Sequence, residues 1–520
     1  MVSKPQSSLQ TRRGFIRQAL CAAVGTTALT NTIRDLRFIN AAMAQTSGVS
    51  DYKALVCIFL NGGNDANNLF IPTLPEEWNN YAAIRTPALA IPTADGSGAT
   101  ALALNSQTND GHTYGIHPAC PELVALFNGG RMATVFNVGT LVYPMTKAEY
   151  TTGTVPRPPQ LFSHTDQQVQ WQTSIPDRIP LTGWGGRCAD LLDQYNPHTA
   201  SSLSMCVSLA GSNTFEVGGV AQQYNVSSGG VVSLNAALGP STAQTARTTA
   251  LNNILGIDAI QQNMLTQNYS LALQHALASG SGLSTALNNS PLLSYFTTAT
   301  TYPVNVVVPN AGGTINNSSL SQQLRMVARI IDAGYRAAAQ GGLGMKRQIF
   351  FCQVGGYDTH SGQTNNAGST TTNNAAVVVG SQASLFAELS QSINNFQNAM
   401  IKIGQQYGDA DFEKRVTSFT ASDFGRTLPS NSVGSDHGWG SHHLVVGGGV
   451  NGRRTYGKFP ALVVGGADDT STGRWIPTTS VDQFAATMAR WFGVDNSMLG
   501  TVFPNLGRFS TPDIGFMAAA

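Results

Sequence analysis

Charge is scarce in this chain. Asp, Glu, Lys and Arg make up 11% of its 520 residues, against about 25% in an ordinary soluble domain. The two signs nearly cancel, 29 basic against 28 acidic, for a formal net charge of +1. A nucleic-acid binder would carry a basic excess, so no nucleic-acid partner is expected. Cysteine is scarce as well: six residues and no C-x-x-C, which excludes the usual spacing of thiolate zinc sites and dithiol redox motifs. Cys57 and Cys352 lie in apolar runs and read as buried thiols. A Cys188–Cys206 bridge is one pairing that an oxidising compartment would allow. No segment beyond the N-terminus reaches the roughly 20 apolar residues of a helical span, so no permanent membrane span is expected. A G-x-S-x-G elbow, a Walker A loop and a strand-linked G-x-G-x-x-G are also missing. Ordinary serine hydrolases, P-loop enzymes and dinucleotide enzymes are therefore unsupported.

The N-terminus supplies an address. "TRRGFIRQALCAAVGTTALT" places Arg12-Arg13 ahead of an apolar run from Ala19 to Leu29, and "AMAQ" follows at Ala42–Gln45. Twin Arg, a short apolar run and a small-x-small site read as a twin-arginine (Tat) export signal over residues 1–44. The expected partner is the Tat machinery, and the expected location is periplasmic or secreted.

Downstream, apolar runs alternate with amphipathic stretches. "KALVCIFLNGGND" (Lys53–Asp65) reads as a buried strand entering a Gly-rich loop, and "MATVFNV" and "RQIFFCQVGGYDTH" read likewise. "RVTSFTASDFGRT" is a further strand and loop; "HHLVVGGGV" and "PALVVGG" are shorter candidates. Helices are expected at Gln322–Tyr335, about Ser384–Tyr407 and Ser480–Val494, the last with Ser480 as N-cap. The alternation predicts one α/β domain over residues 50–510, a three-layer sandwich around a mostly parallel sheet. Residues 211–320, rich in Ser, Asn, Thr and Gly, read as an inserted cap; residues 362–380 read as a low-complexity mobile loop.

The groups able to carry chemistry fall just after apolar runs. Asp65, Asp358, His360 and Asp423 do so, and "SDHGWGSHH" adds Asp436, His437, His442 and His443. Ligands gather outside the carboxyl ends of strands in open α/β sheets, so distant segments can converge there. Mixed Asp and His suit divalent zinc or manganese. His442 and His443 are adjacent, so in a strand they face opposite ways and only one can be a ligand. "PQLFSHTDQQVQW" offers Ser163 and His164 at a helix start, where Ser163 is either a nucleophile or an N-cap.

The ordered set "FLNGGNDANNLFIP", "GIHPA", "FSHTDQQVQW", "GWGGR", "GGYDTHSGQ", "SDFGRT" and "DHGWGSHHLVVGGGVNG" resembles the Tat-exported family called domain of unknown function 1501. That family is similar to the alkaline phosphatase and sulfatase superfamily. The resemblance implies an alkaline phosphatase-like fold with two divalent metals. Asp65, Asp436, His437 and Ser163 would hold one; Asp358, His360 and His442 or His443 would hold the other. The implied function is hydrolysis of phosphate or sulfate esters, small or polymeric. Arg187 or Arg426 would stabilise transition-state charge, and His164 and His117 would bond non-bridging oxygens. The chain departs from the superfamily in separating Asp358 and His360 by one residue rather than three, and no sulfatase nucleophile motif is present. The alternative is a non-catalytic surface or carbohydrate-binding protein that keeps the fold.

Overall fold

A computed structural model describes residues 51–93, 100–199, 201–231, 242–258 and 264–518. Residues 1–44, expected to be an export signal, and with them Cys21, lie outside the described residues. No described helix is long and apolar enough to cross a membrane.

Among the described residues, fourteen strands form three sheets. The large sheet contains β1 (Lys53–Leu60), β5 (Met132–Gly139), β6 (Cys206–Ser208), β7 (Gln223–Asn225), β10 (Arg347–Val354), β11 (Val416–Ser422), β12 (Ser441–Val446), β13 (Arg454–Tyr456) and β14 (Thr479–Ser480). Its order is β13-β5-β12-β11-β1-β10-β6-β7, with β14 also pairing β5. A small sheet joins β2 (Phe70–Pro72), β4 (Tyr114–Ile116) and β3 (Leu102–Ala103), and β8 (Val306–Val308) pairs β9 (Gly313–Ile315). Pairings in the large sheet are parallel except those of β12, which runs against both β11 and β5.

The continuous apolar run of β1 follows from burial on both faces. Ala54, Val56, Ile58 and Leu60 enter one core, and Leu55, Cys57 and Phe59 enter the other. Strand periodicity sends alternate side chains to opposite faces. Helices Pro121–Asn128, Ser319–Tyr335 and Ser381–Tyr407 cover the first face; Trp184–Leu192 and Val481–Phe492 cover the second. The fold is thus mixed α/β around a large, mostly parallel sheet. Helix boundaries follow local chemistry. Ser480 caps Val481–Phe492 in a capping box with Gln483, and Gly493 ends that helix at φ 117°. Only glycine adopts such a backbone without strain.

Four expectations need amending. "PALVVGG" forms no strand: Val463 and Val464 are exposed, Gly466 turns back onto Val463, and Asp469 accepts from the Gly465 N–H. Cys188 and Cys206 are separate, buried free thiols, as are Cys57, Cys120 and Cys352. Within residues 211–320, Gln223–Asn225 is an edge strand of the large sheet, and Leu283, Ala286 and Leu287 belong to the main core. Residues 362–380 are tied down. Asn366 donates to the Pro87 carbonyl, Thr364 to that of Ala88, and Gly368 to that of Ser432.

Candidate functional site

Three parallel strands stop level with one another. Leu60 of β1 is in register with Val354 of β10 and Ser422 of β11. The segments that follow therefore leave the sheet side by side. Asp423 comes directly after β11, and Asp358 lies four residues beyond β10. Because β12 is reversed, the loop before it arrives at the same edge and carries Asp436 and His437. The "SDFGRT" and "DHGWG" segments then zip together. Thr427 N donates to Asp436 O at 2.9 Å, Gly438 N to Gly425 O at 2.7 Å, and Gly425 N to Trp439 O at 3.1 Å.

His164, first residue of helix His164–Thr173, completes the cluster. Its Nδ1 lies 2.6 Å from Oδ2 of Asp423, which is fully buried. A carboxylate only accepts, so Nδ1 carries the proton and Nε2 presents a lone pair. His437 is set in the same sense: its Nδ1 donates to the Phe162 carbonyl at 2.9 Å. The two Nε2 atoms then face one another at 3.1 Å. Two lone pairs at that distance repel unless a cation or a shared proton lies between them. Asp358 closes the arrangement, with Oδ2 at 3.6 Å from His164 Nε2 and Oδ1 at 3.4 Å from His437 Nε2. Ligand atoms of these three residues lie within 4.8 Å of one another, the one such group among the described residues.

Each member is held from behind. Gln168, one helical turn after His164, donates to Asp423 at 3.0 Å and to Asn61 at 2.7 Å. The Gly62 N–H donates to both Asp423 oxygens, at 3.2 and 3.3 Å. Arg426, fully buried, donates to Asp358 Oδ1 at 2.7 Å and also to the carbonyls of Gly62 and Ser435. His360 sits beside the three, its Nδ1 3.2 Å from Asp436 Oδ1 and its Nε2 3.2 Å from Asp358 Oδ1. Asn431 donates to the same Asp436 oxygen at 2.9 Å.

These contacts set the charge states. Burial raises the Asp358 carboxyl, but the hydrogen bond and charge of Arg426, with His360 and His164, outweigh it and hold it below the usual range. Burial likewise raises Asp436, and bonds from Asn431 and His360 bring it below the usual range. Burial lowers His437, and the charge of Arg426 lowers it further, against the Phe162 carbonyl and Asp358. The cluster therefore favours carboxylates and a neutral His437, the states that bind a cation.

Several expected site residues are occupied elsewhere. Asp65 is completely buried: one oxygen pairs with Arg85, and the other accepts from Gln363 at 2.5 Å. His442 and His443 do face opposite sides of β12, but both are core residues. His442 lies among Phe70, Phe136 and Phe459, and its Nδ1 accepts from Asn137 N; His443 lies against Trp171 and Phe484. Burial lowers both to about 3. His117 is buried against Phe386, accepts from Ala119 N, and is lowered to about 3 by burial. Arg187 spends its donors on the carbonyls of Val502, Thr182 and Thr173. Arg426 faces Asp358 and backbone rather than open space, which makes it a positioning residue. Ser163 is the N-cap residue by position, yet its hydroxyl donates to Asp166 at 2.6 Å and to no member of the cluster. Gln168 and the partnership of His164 with Asp423 were missed; the i, i+4 spacing of His164 and Gln168 was their sequence signal.

Gly62 gives the cluster a steric test. Its φ is 120°, and a Cβ there would collide with the Asp358 backbone nitrogen. Gly62→Ala is expected to cost about 1–3 kcal/mol of stability and to displace Asp358, read by urea unfolding and by metal titration of the folded variant. Unchanged values in both would show that the loop has slack.

Residues 336–508 match the family model described as "Protein of unknown function (DUF1501)". The DUF1501 span contains Asp358, His360, Asp423, Arg426, Asp436 and His437; His164 and Asp65 precede it. Among curated proteins, none matches the chain. One similar solved structure is the crystal structure of Ps i-CgsB in complex with k-i-k-neocarrahexaose. It is 8% identical, with 89% of this chain and 78% of that chain covered and a TM-score of 0.31. Similarity at that level carries no inference about activity.

Proposed function

We propose that the chain is an exported, metal-dependent hydrolase of phosphate or sulfate esters. It would hold one divalent ion, zinc or manganese, between His164 Nε2, Asp358 and His437 Nε2. The observation that carries this reading is the pair of imidazole lone pairs facing each other at 3.1 Å with a carboxylate beside them. Two His and one carboxylate, with an open side, is the donor set of many catalytic zinc sites. The side chain of Asp358 is 47% exposed, so the open side faces solvent. A single ion is proposed, because Asp65, His442 and His443 are committed to other contacts. An alkaline phosphatase-like form of the fold belongs to the same proposal.

When bound, the ion would supply Lewis acidity to an ester oxygen. Asp423 and the Phe162 carbonyl fix the tautomers and ring planes of the two histidines, as outer contacts of metal ligands commonly do. Arg426 keeps Asp358 ionised and aimed. His360, between Asp436 and Asp358, is placed to hold a proton at Nε2 and pass it to or from an attacking water.

Protein purified natively and analysed for metals should contain about one equivalent of zinc or manganese per chain. His164→Ala/His437→Ala should lose it together with hydrolysis of 4-nitrophenyl phosphate or sulfate. Asp423→Asn should retain the fold and weaken metal affinity about 10–100-fold. A metal-free native preparation whose melting is indifferent to both chelator and added zinc would sink the proposal.

A further inference from the structure

Arg474 stands beside the cluster with its charge unspent. Its Nε donates to the His437 carbonyl at 2.8 Å, and its guanidinium carbon lies 4.1 Å from the Phe162 ring centroid. Phe162 is the residue whose carbonyl orients His437. Its φ of 73° is uncommon for a bulky side chain. That backbone turn lets one residue do two things: its carbonyl meets His437 and its ring lies under Arg474. Among the described residues, neither a carboxylate nor a carbonyl takes the two Nη groups of Arg474.

The charge balance gives this meaning. With the proposed divalent ion bound, the carboxylates of Asp358, Asp423 and Asp436 would be matched by it and by Arg426. Arg474 is then surplus positive charge at a half-buried position, where an anion gains most from it. Phe162 also lines an adjoining cavity of about 460 Å³, with Tyr150, Val155, Pro156, Arg157 and Leu161. Arg157 lies over the Tyr150 ring at 5.0 Å and has no ion-pair partner among the described residues. The wall mixes these apolar and aromatic side chains with polar surface, Gln160 and the Arg157 cation among it, which suits the organic part of an anionic ester.

We infer that Arg474 is the anion-contacting residue of this site. Phe162 holds its guanidinium flat so that both Nη groups receive phosphoryl or sulfuryl oxygens, while the rest of the ester enters the adjoining cavity. This inference rests on the ester-hydrolase reading for its substrate class.

The test titrates inorganic phosphate and inorganic sulfate into zinc-loaded and zinc-free protein by calorimetry, with wild type, Arg474→Gln and Arg474→Lys. Arg474→Gln should weaken anion binding at least about tenfold, the size of one charge-assisted hydrogen bond. Zinc content should stay unchanged, and Arg474→Lys should restore part of the affinity. With 4-nitrophenyl phosphate, Arg474→Gln should raise KM more than it lowers kcat; the neutral 4-nitrophenyl acetate should be nearly indifferent. Equal anion affinity in wild type and Arg474→Gln, or no anion binding at all, overturns the inference. Arg474-dependent binding by protein that takes up no zinc would retain the anion site and reject the metal reading, so the two fail separately.

Discussion

Asp65→Ala is expected to lower the free energy of unfolding by about 3–5 kcal/mol, because it strands the Arg85 guanidinium in the core without its counter-charge. Both side chains of this pair are wholly buried. The other Arg85 contact to the region is a long one, Nη1 to the Thr427 carbonyl at 3.5 Å. The second Asp65 oxygen accepts from Gln363, whose own carbonyl oxygen accepts from Ser435 at 2.8 Å and Thr359 at 3.3 Å. The variant should still bind zinc stoichiometrically in its folded fraction, since Asp65 touches none of the three proposed ligands. Asp65→Leu/Arg85→Met should recover most of the loss, as apolar replacement of a buried pair is often close to neutral. Urea unfolding with metal analysis decides the point. Loss of zinc with little change in stability would return Asp65 to the metal site.

Stability should peak between about pH 6 and 7 and fall on both sides. His117, His442 and His443 are lowered by burial to about 3. Unfolded, each takes up a proton near pH 6.5; folded, each refuses it until about 3. Stability therefore falls as pH drops through that window, by about 1.36 kcal/mol per pH unit for each histidine. Two buried acids act in the opposite sense. Burial raises Glu216 to about 8 and Asp482 to about 7. Their unfolded forms ionise near pH 4, so stability falls as pH rises from there to 7 or 8. Around pH 5 three histidines outweigh two acids. Above about 6.5 only the acids remain, and below about 4 only the histidines do, so the acid limb steepens. His443→Leu should remove about a third of the steep limb, at little cost near neutrality: among the described residues its Nε2 has no hydrogen-bond partner, and its Nδ1 has only a long one, 3.4 Å to the Thr420 hydroxyl. Urea midpoints from about pH 3 to 9 test this, and an unaltered acid limb in the variant would refute the assignment.

The architecture was largely legible, because burial on both faces leaves an unbroken apolar run, as in β1 and, over the shorter Ile349–Cys352, in β10. The site was legible in part. Asp358, His360, Asp436 and His437 were marked by their place after or before apolar runs, which the register of Leu60, Val354 and Ser422 turns into a shared edge. Asp65 carried the same mark with a different outcome. Nothing in "NGGND" announces that its partner is Arg85, inside helix Pro75–Leu89. His442 and His443 look like ligands by residue type, yet a neutral imidazole also serves as an aromatic wedge in a core. His164 was read as a binder of substrate oxygens, because its position against Asp423 depends on the packing of a helix more than 250 residues earlier in the chain.

The order of the large sheet bears on how the chain comes into being. β1 emerges from the ribosome well before its neighbours, residues 347–354 and 416–422. Seven consecutive buried residues, Ala54–Leu60, thus have no strand to lie against until nearly 300 further residues have been made. Such late, non-local pairing folds slowly and exposes apolar surface meanwhile. A nascent or truncated chain ending before β11 should need a holding chaperone to stay in solution. His164 and His437 are brought together only once β11, β12 and the segments around them have been made, so their cluster belongs to the late stages of folding.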